Sequence, residues 1–221
     1  MKIERRVDHT FLKLGGSIHE ARTQVRRCVE LDIRGFVSHP WIIKRLLIDD
    51  VSEDLKLVGV IDFPHGTASL KAKVDEVQQL YEVGCVEYDV VLNTTAVLSG
   101  DIDYFRYELA EITEYVRSIG SIVKTIVEVV LLDYQDLHKV IDIINEVKPH
   151  YFKISTGKAD KYVTPDLVRT IRSMLSPRIK IKAAGGIRTP DQVVDFLDAG
   201  ADIIGSSKGI SIVEELKKNE Y

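Results

Sequence analysis

Ile179-Lys180-Ile181-Lys182-Ala183-Ala184-Gly185-Gly186-Ile187-Arg188-Thr189-Pro190-Asp191 reads as one structural unit. A short β-branched run ending at Ala183 passes into a glycine pair, and Thr189 before Pro190 marks the N-cap and first turn of a helix. The stretch ahead of it follows the same plan. Tyr151-Phe152-Lys153-Ile154-Ser155 is strand-like, Gly157 breaks the run, and Thr164-Pro165-Asp166 starts another helix. Two successive units with the same start signal imply a repeated βα architecture.

Working outward, the remaining strand candidates are Ile3 to Asp8, Gly35 to Ser38, Leu55 to Asp62, Val86 to Asn93, Ile122 to Val130 and Asp202 to Gly205, each followed by a helical segment. After the third, Leu70, Val74, Val77, Leu80 and Tyr81 recur every three or four residues up to Gly84, which predicts an amphipathic helix with Lys71, Lys73, Asp75 and Glu76 on its polar face. Eight alternating units with apolar strands predict an α/β fold with a parallel sheet, closed as a (β/α)₈ barrel. An open doubly wound sheet is the competing arrangement, disfavoured because no G-x-G-x-x-G follows the first strand. The 221 residues approach the roughly 250 typical of such a barrel, so one domain over residues 1–221 is expected.

The composition narrows the function. No apolar run approaches the ~20 residues of a membrane span. The opening Met1-Lys2-Ile3-Glu4-Arg5-Arg6 lacks a signal-peptide core, so the expected location is cytoplasmic. A net charge of −4 with no basic tract argues against nucleic acid as a partner and for a small molecule. Cys28 and Cys85 have no C-x-x-C spacing and read as core thiols.

In barrel enzymes the site lies beyond the C-terminal strand ends, and loops after the seventh and eighth strands often hold a phosphate. Here those loops carry Gly185 and Gly186, and Gly205-Ser206-Ser207-Lys208-Gly209 before a final helix, with Gly157 and Lys158 after the sixth strand as a third contribution. Glycine backbones and a helix N-terminus suit an anion. Lys124, Lys153 and Lys182 each interrupt an apolar strand, where a buried ammonium is costly unless paired or neutral. Asp8, Glu87, Asp89 and Glu128 lie on strands of the same set, and Lys124 with Glu128 is expected to form a structural ion pair. Lys153 and Lys182 sit nearer the mouth on neighbouring strands. A second ammonium and apolar walls lower the pKa of a lysine until its neutral amine can attack a carbonyl, with Asp89 as proton carrier. The residues alone thus reach imine chemistry on a phosphorylated substrate.

Val7-Asp8-His9-Thr10, Phe63-Pro64-His65-Gly66, Glu87-Tyr88-Asp89-Val90-Val91-Leu92-Asn93, Phe152-Lys153-Ile154-Ser155-Thr156-Gly157-Lys158 and Lys182-Ala183-Ala184-Gly185-Gly186-Ile187-Arg188-Thr189 resemble, in order over nearly the whole chain, the deoxyribose-phosphate aldolase family. The resemblance implies a class I aldolase that reversibly cleaves 2-deoxy-D-ribose 5-phosphate to glyceraldehyde 3-phosphate and acetaldehyde with neither cofactor nor metal. It makes Lys153 the Schiff-base lysine, Lys182 the lysine that depresses its pKa and Asp89 the acidic relay member. Phosphate contacts fall on Gly157, Gly185, Gly186, Gly205 and Ser206, and a homo-oligomer is expected. Val37-Ser38-His39-Pro40 replaces a Cys-Val-Asn-Pro-like stretch, Val129 a threonine and Asp62 a glycine, which opens the sugar specificity to a related phosphorylated substrate. Two other readings compete: a metal site from His9, His65 and Asp8 or Asp62, and a non-catalytic barrel that binds a phosphometabolite. Asn219-Glu220-Tyr221 reads as a solvated tail, with closure of Tyr221 over the mouth as the alternative.

Overall fold

The computed structural model describes residues 2–48 and 54–219. Eight parallel strands pair in chain order and close: β1 (Val7–Phe11), β2 (Gly35–Ser38), β3 (Lys56–Ile61), β4 (Glu87–Val91), β5 (Ile122–Ile126), β6 (Tyr151–Lys153), β7 (Lys180–Ala184) and β8 (Ile203–Ser206). Pairing of β1 with β8, Val7 opposite Ile204 and His9 opposite Ser206, seals the (β/α)₈ barrel. The connections form the outer layer: α1 (Ile18–Glu30), α2 (Pro40–Ile48), α3 (Leu70–Tyr81), α4 (Thr94–Leu98), α5 (Ile102–Ser118), α6 (Tyr134–Val147), α7 (Pro165–Met174), α8 (Pro190–Asp198) and α9 (Gly209–Asn219).

Local chemistry sets the helix starts. Thr164 and Thr189 accept from Leu167 N and Gln192 N, each with proline in the first turn, and Ser17 with Glu20 forms a reciprocal capping box. Each such cap contributes about 1 kcal/mol. No described helix is long and apolar enough to cross a membrane.

Register fixes which side chains point inward, because paired residues share a face. Outward residues such as Phe36, Tyr88, Val90, Phe152 and Ile204 pack under the helices in the main apolar core. Inward, Val37, Val58 and Val60 form a small apolar group on β2 and β3 beside Leu12 and Phe63. Six charged residues also face inward and are buried, Asp8, Glu87, Asp89, Lys124, Lys153 and Lys182, alongside Ile126, Tyr151 and Ile203 on the same face.

Four expectations need correction. Ile3–Arg6 is a 3₁₀ turn and β1 begins at Val7, so Asp8 lies near the start of its strand instead of its end. β5 stops at Ile126 and Val129–Leu131 is another 3₁₀ turn, which removes Glu128 from the strand face it was expected to share with Lys124. Lys73, assigned to the polar face of α3, is 1% exposed, whereas Tyr81 is 42% exposed. β8 extends through Ser206, so Gly205 and Ser206 belong to the strand. Both cysteines are buried, as expected. α9 runs through Asn219, and Tyr221 lies outside the described residues.

Candidate active site

Lys153 ends β6 directly opposite Lys182, the central residue of β7, and Asp89 on β4 stands opposite Lys124 on β5. The closed barrel brings these groups to one point. Asp89 Oδ2 accepts hydrogen bonds from Lys153 Nζ at 2.7 Å and Lys182 Nζ at 2.8 Å. Its Oδ1 accepts no hydrogen bond, with Lys124 Nζ 3.3 Å away. Lys182 also donates to Asp8 Oδ2 at 2.6 Å.

Burial lowers the Lys153 pKa most; Lys182 and Lys124 add repulsion, and against the opposing pull of Asp89 the amine falls to about 8. Burial alone would raise Asp89, but the ammonium groups of Lys153, Lys182 and Lys124 outweigh it and hold the carboxyl well below the usual range. Lys124 moves the other way: burial opposes its charge, yet Asp89 and Glu87 raise its pKa.

Above Lys153 opens a cavity of about 200 Å³. Every residue assigned to phosphate from the sequence lines it: Gly157, Lys158, Gly185, Gly186, Gly205 and Ser206. Lys153 is part of the floor, while Lys182 and Asp89 lie beneath and do not line it. Gly157 and Gly185 have φ of +72° and +99°, and a Cβ on Gly185 would stand 2.9 Å from Gly157 Cα, so the two loops touch backbone to backbone. Gly205 serves Lys182 as well, since a Cβ there would meet Ala184 Cβ at 3.1 Å and Lys182 Cε at 3.4 Å.

Glu128 does not pair with Lys124. Its Oε2 accepts from Thr156 N at 2.9 Å and Thr156 Oγ1 at 2.5 Å, anchoring the β6 loop, while Lys124 binds Glu87 Oε2 at 2.8 Å. The Ser206 hydroxyl donates to Ile187 O at 2.7 Å and ties the β8 strand to the β7 loop.

Thr10, Leu12, Lys13, Phe63 and Arg188 also line the cavity, unanticipated from sequence, together with Ser207 of the loop already expected to hold phosphate. Leu12, Lys13, Phe63 and Ser207 share one signal, a position one or two residues beyond a strand end, whereas Thr10 lies within β1. Lys73, likewise missed, donates to Glu108 Oε1 at 2.6 Å, Gly66 O at 2.8 Å and Val91 O at 2.9 Å, so it ties the loop carrying Phe63 to β4 and α5. The altered stretch after β2 stands behind the same wall, with His39 edge-on to Phe63 at 6.3 Å between centroids.

The imagined metal set is not assembled. His9 Nε2 bonds Gln24 at 2.7 Å and its Nδ1 accepts from Ile210 N at 3.3 Å, His65 is exposed, and Asp62 accepts from Ala68 N at 2.8 Å. Among the described residues no three His, Cys, Asp or Glu side chains gather as a metal-binding group.

No protein-family model matches the chain. Among curated proteins, it is 32% identical over 225 residues to the deoxyribose-phosphate aldolase of Thermococcus gammatolerans, covering 100% of this chain and 99% of that one. It is 35% identical over 216 residues to the Aquifex aeolicus deoxyribose-phosphate aldolase, covering 98% and 97%. Among solved structures it matches an aldolase called QR15 with TM-score 0.93 and 34% identity, covering 100% of this chain and 98% of that one. A tetrameric deoxyribose phosphate aldolase from Aeropyrum pernix matches with TM-score 0.90 and 31% identity, covering 98% and 92%.

Proposed function

The chain belongs to the deoxyribose-phosphate aldolase family, and from that premise we propose how its own residues carry the reaction. It is a carbon–carbon lyase that reversibly cleaves 2-deoxy-D-ribose 5-phosphate into D-glyceraldehyde 3-phosphate and acetaldehyde through a lysine Schiff base. The neutral amine of Lys153 attacks C1 of the open-chain sugar, and loss of water from the carbinolamine leaves a protonated imine. Loss of the C3 hydroxyl proton breaks the C2–C3 bond, the electron pair enters the imine as an enamine, and glyceraldehyde 3-phosphate departs. Protonation at C2 and hydrolysis then release acetaldehyde and restore the amine.

Lys182, bonded to Asp8 and Asp89, stands beside Lys153 and by repulsion favours the neutral nucleophile there. Asp89, bonded to both ammonium groups, is placed to exchange the protons of carbinolamine formation and breakdown. Phosphate goes to the Gly157, Lys158, Gly185, Gly186, Gly205 and Ser206 wall, which aims the sugar's other end at Lys153. One observation carries this reading: a buried lysine with lowered pKa is part of the floor of the cavity whose wall is the glycine loops. The tetrameric relative favours a homo-oligomer, and a sugar phosphate that crosses no bilayer unaided favours the cytoplasm.

Borohydride reduction in the presence of 2-deoxy-D-ribose 5-phosphate, followed by peptide mass mapping, tests the assignment. The expected product is one stable adduct on the peptide bearing Lys153. An adduct on another lysine, or none in active protein, overturns the mechanism. Faster trapping with a different sugar phosphate would move the substrate within the same chemistry, which the His39 and Asp62 departures bear on.

A further inference from the structure

The charged side chains of the lumen form a closed circuit. Arg34 Nη1 donates to Asp8 Oδ1 at 2.8 Å, and Asp8 Oδ2 accepts from Lys182 at 2.6 Å. Lys182 reaches Asp89 Oδ2 at 2.8 Å, whose Oδ1 faces Lys124 at 3.3 Å. Lys124 donates to Glu87 Oε2 at 2.8 Å, and Glu87 accepts both contacts of Arg34 Nη2, at 2.8 and 3.0 Å. Cation and anion alternate all the way round, three of each. Lys153 hangs from this ring by its bond to Asp89 Oδ2 and has no carboxylate of its own.

We infer that Arg34 is a positioning residue for the aldol reaction: by closing the ring's charge balance from the opposite end of the barrel, it makes Lys153 the one surplus cation and hence the lysine that gives up its proton. Arg34 precedes β2, its side chain is 13% exposed, and a guanidinium does not deprotonate in this setting, so its charge is permanent. Gly35 makes room for it to meet Asp8, because a Cβ there would stand 2.5 Å from Asp8 Oδ1. Without Arg34 the ring holds three carboxylates and two lysines, and balance then calls for a protonated Lys153.

The groups acting on Lys153 are Asp89 from β4, Lys124 from β5 and Lys182 from β7, with Asp8 of β1 behind Lys182. β8 carries no charged residue, the only one in β3 is the exposed Lys56, and Glu128 above is bonded to Thr156. Lys13, Lys158 and Arg188 line the cavity beyond Lys153 and stay constant in every variant below.

The inference rests on the Schiff-base reading, and the pH dependence of borohydride trapping at Lys153 separates the two. In Arg34→Gln the midpoint is expected to rise by about one pH unit, with roughly tenfold slower trapping at pH 7 that recovers in alkali. Glu87→Gln removes a carboxylate instead and is expected to lower the midpoint. Arg34→Gln with Glu87→Gln removes one charge of each sign and returns it to the wild-type value, whereas a purely structural role leaves the double variant at least as impaired as either single one. An unmoved midpoint in Arg34→Gln, a rise in Glu87→Gln or no restoration in the double variant overturns the role of Arg34. An adduct on a lysine other than Lys153 in the unaltered enzyme is the separate result that removes the Schiff-base reading beneath it.

Discussion

Lys153→Met removes an amine whose charge the fold opposes, and the size of that opposition follows from its surroundings. The Lys153 pKa falls from the ordinary 10.5 to about 8 on burial. At 1.36 kcal/mol per unit this amounts to about 3 kcal/mol. The sign is fixed by proton counting. Below pH 8 both folded and unfolded chains hold the proton, and the full penalty is present. Between about 8 and 10.5 the folded chain has released a proton that the unfolded chain keeps, so the native protein gains stability as pH rises. Methionine has no such dependence. Asp89 is not orphaned, because it keeps Lys182 at 2.8 Å and Lys124 at 3.3 Å. The variant is therefore expected to exceed the native protein in stability by about 3 kcal/mol at pH 7, and by under about 1 kcal/mol from this source at pH 10. Urea unfolding of both proteins at the two pH values measures the gap, and any constant contribution from methionine packing cancels in the comparison. A gap that does not shrink with pH would refute a strained amine at this position.

Other outcomes follow from the same contacts. Lys182→Met is expected to raise the alkaline-going midpoint of kcat/KM by about 1–2 units, a loss of roughly 10- to 100-fold at pH 7 that alkaline buffer restores; an unchanged profile counts against Lys182 as the source of the shift. Gly185→Ala puts a Cβ 2.9 Å from Gly157 Cα at a φ of +99°. A distortion of about 1–2 kcal/mol should raise KM for the sugar phosphate roughly tenfold or more and spare unphosphorylated deoxyribose; equal losses on both substrates would detach these loops from phosphate. Lys73→Met leaves Glu108 buried without its ammonium and is expected to cost about 3–5 kcal/mol in urea unfolding, with Lys73→Met/Glu108→Leu less affected than the single variant.

The sequence exposed the proposed catalytic centre for a simple physical reason. Lys153, Lys182 and Asp89 break apolar strands, where charge has no structural excuse, and the glycine loops fall after the strands where barrels bind anions. Pattern failed where a segment changed conformation. Lys124 and Glu128 have matching strand parity, but parity holds only while the strand continues, and β5 ends at Ile126. Ile3-Glu4-Arg5-Arg6 alternates too poorly to separate a turn from a strand start, which displaced Asp8 from its true depth. Arg34 escaped notice because an arginine before a strand ordinarily reads as a solvated flank. Lys73 shares the buried stripe of α3 with Val77 and Leu80 at i, i+4 and i+7, and only its charge, which Glu108 pairs, assigned it to the polar face.

Barrel interiors are commonly filled with valine, isoleucine and leucine, and here a ring of ions occupies part of the lumen instead. Unfolding exposes apolar surface, which raises heat capacity, and polar surface, which lowers it. A barrel with this interior therefore unfolds with a smaller heat-capacity increment than an apolar one of equal length, and its stability curve is flatter. Because charge desolvation becomes less costly on heating, the ring costs less to bury in a hot barrel than at ambient temperature. The arrangement proposed to prepare a nucleophile also widens the thermal range over which the barrel stays closed around it.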